Sequence, residues 1–381
     1  MSNTNQNPTN STQNFKILCI AGDGIGQEIV PCGQAILQKI ANKYGHNFVF
    51  DQAIMGHTAI LSTGNPLPDE TLDKAKQCDA ILFGAIGDPS YDNNPSATIR
   101  PEQGLLKIRI ELGLFANLRP IQIFPELADA SPLKPEIVAG TDIMFFRELT
   151  GGIYFGKPRE RRNDGQVAID TCVYSKEEIR RISVMAFESA RLRSKKLVSV
   201  DKANVLETSR LWRETVNEVA QNYPDITLEH QLVDSMAMKL ISNPRQYDVV
   251  LTENLFGDIL TDEASQIAGS LGMLASASVG SVDSDNPTNK NCINFGLFEP
   301  IHGSAPDIAG KNIANPLATI LSCALLLEIG LGLKSEANNI IEAVQKTLAQ
   351  GYRTGDIKDK TTPTDMILGT REMCQIVLGN I

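Results

Sequence analysis

Basic charge in excess is what this chain most plainly lacks. Lys and Arg number 35 against 45 Asp and Glu, a formal net charge of −10 over 381 residues. A nucleic-acid footprint needs a basic face, so the balance argues against that class of partner. Small-molecule substrates stay open, because local positive sites can sit in an acidic protein. Histidine is scarce as well. His46, His57, His230 and His302 are the full set, and none stands at zinc-ligand spacing from a cysteine. A metal site here has to be built from oxygen. No C-x-x-C occurs among the seven cysteines (19, 32, 78, 172, 292, 323 and 374). Their odd number and irregular spacing read as free thiols in a reducing compartment, hence a cytoplasmic chain. A long uncharged apolar run is missing too. The most apolar stretch, 317–333, carries Glu328 and reads as a buried helix, so no membrane partner is expected. The N-terminal MSNTNQNPTNSTQN has neither the apolar core of a signal peptide nor the arginines of a transit peptide, and residues 1–14 read as a disordered tail.

What is present is ordinary for a globular chain: 42% apolar and 21% charged residues. The length exceeds one compact core of usual size and predicts two domains. Strand-like and helix-like patterns alternate, which predicts an α/β protein. FKILCIA (15–21) reads as a strand before a helix at 27–44, AILFGAIG (80–87) as a buried strand, and 100–115 as helical. Further on, three strand–helix units succeed one another at 195–202, 226–234 and 247–258, each strand ending on charge: Asp201 and Lys202, then Asp234, then Asp258. Helices near 317–330, 335–350 and 363–379 close the chain, and the polar 280–294 reads as an exposed loop.

CIAGDGIGQEIV (19–30) is nearly a dinucleotide fingerprint, with NFVFD ending in Asp51 as its ribose acid. The third glycine of that fingerprint would fall at position 27, which is Gln27, and Asp23 sits where a pyrophosphate would bring negative charge. Both argue against a Rossmann phosphate loop. The stretch 299–316, EPIHGSAPDIAGKNIANP, is a better nucleotide candidate. Its small residues let backbone N–H groups approach a ligand, and Asp307 can accept from both ribose hydroxyls. A 2′-phosphate would be repelled there, which favours NAD over NADP.

Asp258 and Asp262 stand four apart, so both carboxylates face one side of a helix. Two carboxylates about 4 Å apart repel by roughly 4 kcal/mol at an effective dielectric of 20. A cation between them is expected, and Mg²⁺ or Mn²⁺ suits carboxylate oxygens, with Asp234 available as a third ligand. A solvated helix face carrying unrelated acids gives the same spacing. Arg109, Arg119 and Arg147 are candidates for gripping a di-acid, since guanidinium groups bind carboxylates bidentately; three surface arginines are the alternative. Tyr154, beside paired glycines, can approach a ligand or be a satisfied buried phenol. Lys202 can act as a base if burial or cationic neighbours lower its pKa, or be a surface lysine.

Taken together, GDGIG, LFANLRP, RELTGGIYFG, VDKANVLE, FGDILTDEAS and HGSAPDIAGKNIANP resemble the isocitrate/isopropylmalate dehydrogenase family, from Lys16 to the C-terminus and in the family's order. The resemblance implies a two-domain α/β fold other than Rossmann. Residues 15–114 and 269–381 would form a large, discontinuous nucleotide-binding domain, and 115–268 a small central domain with the dimer interface and the metal and substrate residues. It implies a homodimer with shared active sites, in which Lys202 and Asp234 come from the partner and Asp258 and Asp262 from the home subunit. The implied reaction is NAD-dependent oxidative decarboxylation of 3-isopropylmalate to 4-methyl-2-oxopentanoate, in leucine biosynthesis. Lys202 would take the hydroxyl proton and Tyr154 protonate the enolate. Substrate would meet Arg109, Arg119, Arg147 and Asp234, with Leu105 and Leu106 as an apolar wall for the isopropyl group. NAD would meet Glu102, His302, Gly303, Ser304, Ala305, Pro306, Asp307 and Asn315, with Ile25 touching the cofactor. Mg²⁺ or Mn²⁺ would sit on Asp234, Asp258 and Asp262. D-Malate, tartrate or homoisocitrate are neighbouring substrates, and a non-catalytic family subunit is the rival class. Four features depart from the pattern: Ile110, Ala275, a longer 280–294 loop, and Glu253, which would add charge near the metal turn.

Overall fold

The alternating patterns fold into one broad sheet with helices on its faces. The structure, a computed structural model, describes residues 13–92, 97–281 and 292–381. Most of the expected tail and of the 280–294 loop lies outside the described residues. Residue 14, assigned above to the tail, already pairs in the first strand. The described strands are β1 (Asn14–Gly22), β2 (Asn47–Ala53), β3 (Ala80–Ala85), β4 (Ala116–Gln122), β5 (Asp142–Glu148), β6 (Glu160–Arg162), β7 (Val167–Ile169), β8 (Lys196–Asp201), β9 (Thr227–Leu232), β10 (Val249–Thr252), β11 (Ala275–Val279) and β12 (Gly296–Pro300).

Ten of them form a single sheet in the order β2-β1-β3-β12-β11-β4-β5-β10-β8-β9, while β6 and β7 make a separate hairpin. β2, β1, β3 and β12 run parallel, as do β5, β10, β8 and β9. The antiparallel strands β11 and β4 join the two parallel sets. Parallel strands are covered on both faces, which accounts for the solidly apolar AILFGA and VVLT. On one face of the second set, Ile143, Phe145, Val200, Val250 and Leu260 pack together. A larger cluster runs through Ile17, Ile20, Phe83, Phe187, Trp212 and Phe298.

The helix Gly26–Tyr44 buries Ile29, Ile36, Leu37 and Ile40 on one stripe and ends at Gly45 in the left-handed conformation. The apolar run at 317–333 is a buried α-helix, Leu317–Leu325, continued by a π-helical turn over Leu326–Gly330. No helix among the described residues is long and apolar enough to cross a membrane. The expected C-terminal helix starts later, at Thr370.

The expected charged strand ends need correcting. β8 does end on Asp201, but Asp234 and Asp258 stand in helices Val233–Ser242 and Asn254–Ile267. β10 stops at Thr252, and the Glu253 side chain accepts from the Phe256 N–H at 2.6 Å, capping the second helix at once.

Candidate active site

At the carboxyl ends of β3, β5 and β12 opens a cleft of about 430 Å³, the place where open α/β sheets gather ligands. Arg109, Arg119 and Arg147 all line it, as do Leu105, Leu106, Glu102, Tyr154, Asp258, His302 and Gly303. The helix Glu102–Glu111 supplies the two leucines and Arg109 from one side. β4 and β5 pair Asn117 with Arg147 in register and bring Arg119 alongside, two residues from Asn117.

Each arginine is held. Arg109 Nη2 lies 2.7 Å from the buried Glu299 carboxylate. Arg119 donates through Nε to Asn117 Oδ1 at 2.7 Å and through Nη1 to Thr261 Oγ1 at 2.5 Å. Arg147 donates to Asn254 Oδ1 from Nε at 3.1 Å and from Nη2 at 2.8 Å, and its Nη1 meets Asp258. Burial and the adjacent Arg147 charge pull the Arg119 guanidinium down to about 10, still fully charged near neutrality. Glu299, Asn117, Asn254 and Thr261 were missed in the sequence. Glu299 and Asn254 lie within the segments 299–316 and 247–258, but only the folded chain shows which arginine each one holds.

Asp258 and Asp262 do share one side of their helix, and Arg119 reaches both, at 3.8 and 3.4 Å. Arg119 thus brings positive charge beside both carboxylates. Tyr154 donates to Asp258 Oδ2 at 2.8 Å. Burial, that hydrogen bond and the Asp258 charge push the phenol up to about 12, so it holds its proton across the working range. Burial works to raise the Asp258 carboxyl, yet Arg147, the Tyr154 hydroxyl and Arg119 outweigh it and hold it below its ordinary value.

Lys202 and Asp234 stand apart from this cluster. Neither lines the cleft, and they pair with each other at 2.7 Å. The Asp234 carboxyl is lowered by the hydrogen bond from Lys202. Lys202 thus faces a carboxylate rather than a cationic neighbour. Among the described residues no group of three or more His, Cys, Asp or Glu side chains could hold a metal ion. Asp258 and Asp262 are hard oxygen donors that fit Mg²⁺ or Mn²⁺, but one chain does not bring Asp234 to them.

Glu253 does not line the cleft. Its carboxylate turns back onto its own helix N-terminus and accepts from the Tyr174 hydroxyl at 3.2 Å, outside the cleft. Ile110 is 53% exposed on its helix, and Ala275 is a buried strand residue opposite Pro300.

The GDGIG turn carries the nucleotide-candidate segment instead of a phosphate. Asp23 is buried and accepts from the backbone N–H groups of His57, Thr58 and Gly87 at 2.9–3.0 Å. Ile25 N–H donates to Ser304 C=O at 2.8 Å. Gly24 has φ +55°, and a Cβ there would lie 2.0 Å from the Ser304 oxygen, so only glycine lets the two segments touch. Ile25 is buried in a small cluster with Ile29 and Ala314, against Ala305 and Ile308. Glu28 receives the Gly310 and Asn312 N–H groups. Asp51 is exposed on the edge strand β2, far from this loop in the sheet, and 3.4 Å from Lys74.

Along 302–315, Gly303, Pro306 and Asp307 are exposed, Ala305 is half-buried and Ser304 is buried. The His302 Nε2 atom is buried without a hydrogen-bond partner beside the cleft, a donor-acceptor left for a ligand. Burial pulls the His302 imidazole down, toward its neutral form. Asn315 is turned inward: its amide donates to Asp356 at 3.0 Å and accepts from the Leu317 N–H at 3.0 Å. That leaves it shaping the loop from beneath.

A cleft lined by three arginines at the strand ends, beside a carboxylate pair and a glycine-rich nucleotide candidate, suits a small di-acid and a nucleotide. The sequence profile of the isocitrate/isopropylmalate dehydrogenase family matches residues 16–377, and the chain belongs to that family. It is 54% identical to the 3-isopropylmalate dehydrogenase of Halalkalibacterium halodurans over 344 residues, which covers 90% of this chain and 92% of that one. It is 56% identical to the 3-isopropylmalate dehydrogenase of Shouchella clausii, over 90% and 91% of the two chains. Among solved structures, the isocitrate dehydrogenase of Methylococcus capsulatus superposes with a TM-score of 0.82 at 32% identity, covering 96% of this chain and 99% of that one.

Proposed function

We infer that the protein catalyses NAD-dependent oxidative decarboxylation of 3-isopropylmalate to 4-methyl-2-oxopentanoate and CO₂, a step of leucine biosynthesis. The observation that carries this is identity above half, over nine-tenths of the chain, with relatives of that activity. The cleft agrees. Three arginines suit the two malate carboxylates. Leu105 and Leu106 beside them suit an isopropyl group and would strongly disfavour the third carboxylate of isocitrate.

The roles carry the family resemblance over to this chain, and the cleft supports those of the arginines and Tyr154. Arg109, Arg119 and Arg147 orient the substrate, and Lys202 takes the hydroxyl proton as C2 gives up hydride. When bound, NAD⁺ would supply the hydride acceptor, and Mg²⁺ or Mn²⁺ would supply positive charge that stabilises developing negative charge on oxygen. Loss of CO₂ leaves an enolate at C3, which Tyr154 protonates as the carbonyl reforms. Asp258 and Asp262 would hold the metal together with Asp234. Glu102, His302, Gly303, Ser304, Ala305, Pro306 and Asp307 would contact NAD, with Asp307 on the ribose and Asn315 supporting the loop.

Lys202 and Asp234 can serve a cleft only if a second copy presents them, so the proposal includes a homodimer with shared sites. Exposed Met238 (67%) and Ile259 (58%), on the helices carrying Asp234 and Asp258, support such an interface. It also includes the division into 15–114 with 269–381 and 115–268, which tracks the two parallel strand sets, and a cytoplasmic location. NAD⁺ reduction with 3-isopropylmalate, isocitrate, D-malate, tartrate and homoisocitrate tests the reading. Absence of turnover on 3-isopropylmalate would refute it.

A further inference from the structure

Tyr174 lies behind the cleft wall, buried, two residues past Cys172 and outside every motif considered above. Its hydroxyl works in both directions. It accepts from the Asn254 backbone N–H at 2.9 Å, a first-turn donor with no partner inside its helix, and donates to Glu253 Oε2 at 3.2 Å. Its ring is the floor for the turn that leads to Tyr154. A Cβ on Gly151 would lie 2.7 Å from the Tyr174 ring edge, and one on Gly152 would lie 2.5 Å from the hydroxyl oxygen. Gly152, at φ +75°, is also bound by its N–H to the Val173 carbonyl at 2.9 Å. Asn254 Nδ2 then ties the Gly151 carbonyl at 3.1 Å, while its Oδ1 holds Arg147. One phenol therefore joins the Tyr154 turn to the start of the helix that carries Asp258.

We propose that Tyr174 is a positioning residue for proton delivery: by locking the Gly151–Gly152 turn onto the first turn of the Asn254–Ile267 helix, it sets where the Tyr154 hydroxyl stands. This rests on the reading of Tyr154 as the acid that protonates the enolate. In that step the Tyr154 O–H bond breaks, the C2=C3 electron pair of the enolate forms the new C–H bond at C3, the oxygen lone pair re-forms the carbonyl, and solvent reprotonates the phenolate. Tyr174 takes no part in hydride transfer, so its loss should slow only the later protonation of the enolate.

The test is Tyr174→Phe, which removes one oxygen and keeps the floor. The expected result is a kcat lower by about 10- to 100-fold, with KM for 3-isopropylmalate and NAD⁺ within about twofold. Rapid mixing should show a burst of about one NADH per site before slow turnover. The solvent deuterium effect on kcat should rise, and the effect of deuterium at C2 should shrink. Trp212→Phe is the control for disturbance beside the ring, since Trp212 meets the Tyr174 ring edge-on at 5.6 Å and its Nε1–H donates to Ser199 Oγ at 3.2 Å, not to Tyr174. Unchanged kinetics in Tyr174→Phe, or the same burst in Trp212→Phe, would overturn the proposal. Tyr154→Phe run in parallel separates the two failures. If it shows the burst and Tyr174→Phe does not, only the positioning role falls; if it turns over normally, the acid role falls and this proposal with it.

Discussion

The cleft cluster and the Lys202–Asp234 pair carry equally chemical side chains but are built oppositely. Arg119, Arg147, Tyr154, Asn254 and Asp258 interlock, largely buried, with each group oriented by another. Lys202 and Asp234 pair with each other away from the cleft, with Asp234 exposed on the first turn of its helix. The buried group is preorganised within one chain. On the proposed reading, the second pair, half-buried Lys202 and exposed Asp234, acts only against a second copy.

Subunit mixing tests that difference most severely. Asp258→Asn and Lys202→Met should each lose at least about a thousandfold in turnover while remaining folded. Mixing the two under exchange conditions should restore activity to about a quarter of the parent, because half the dimers then carry one intact site. No recovery on proven exchange would break the shared-site reading. Next in size is Asp307→Lys, which should move the NAD⁺/NADP⁺ ratio of kcat/KM toward NADP⁺ by about tenfold or more. An unchanged ratio would remove Asp307 as the discriminator.

Within the buried group, Tyr154 should titrate near 12 by NMR of ring-labelled tyrosine, and in Asp258→Asn the value should drop toward the ordinary phenol value of about 10. A Tyr154 that titrates normally in the parent would refute both its burial and its Asp258 contact as sources of the shift. The smallest effect concerns Glu253, whose carboxyl is raised by burial. A folded pKa above the unfolded one gives stability that is present at low pH and lost as pH rises through the folded value. Glu253→Gln should flatten that part of the pH dependence. Urea unfolding at several pH values reads it, and identical pH slopes in the two proteins would count against the assignment.

Strand and helix order was legible because apolar periodicity is local: β1, β3, β8 and the helix Gly26–Tyr44 fall within two residues of their expected places. Helix starts were less legible. Glu253 read as a stray charge because a cap is recognised only when the N–H it serves is in place. Supporting residues were least legible of all. Glu299 meets Arg109 across 190 residues of sequence, and Asn254 meets Arg147 across 107.

The sequence by itself determined the α/β class, named the candidate arginines and acids, and argued against the 19–30 turn as a phosphate loop. Residue identity and spacing suffice for those, since Gln27 and Asp23 stand where glycine and an uncharged residue were needed. Only the tertiary structure decided what that turn does: Asp23 binds backbone amides, and Gly24 and Ile25 brace Ser304. It also decided that Asp258 meets Arg147 and Tyr154 in this chain while Asp234 stays with Lys202. Distances between side chains far apart in sequence depend on sheet order and helix placement, which no local pattern contains.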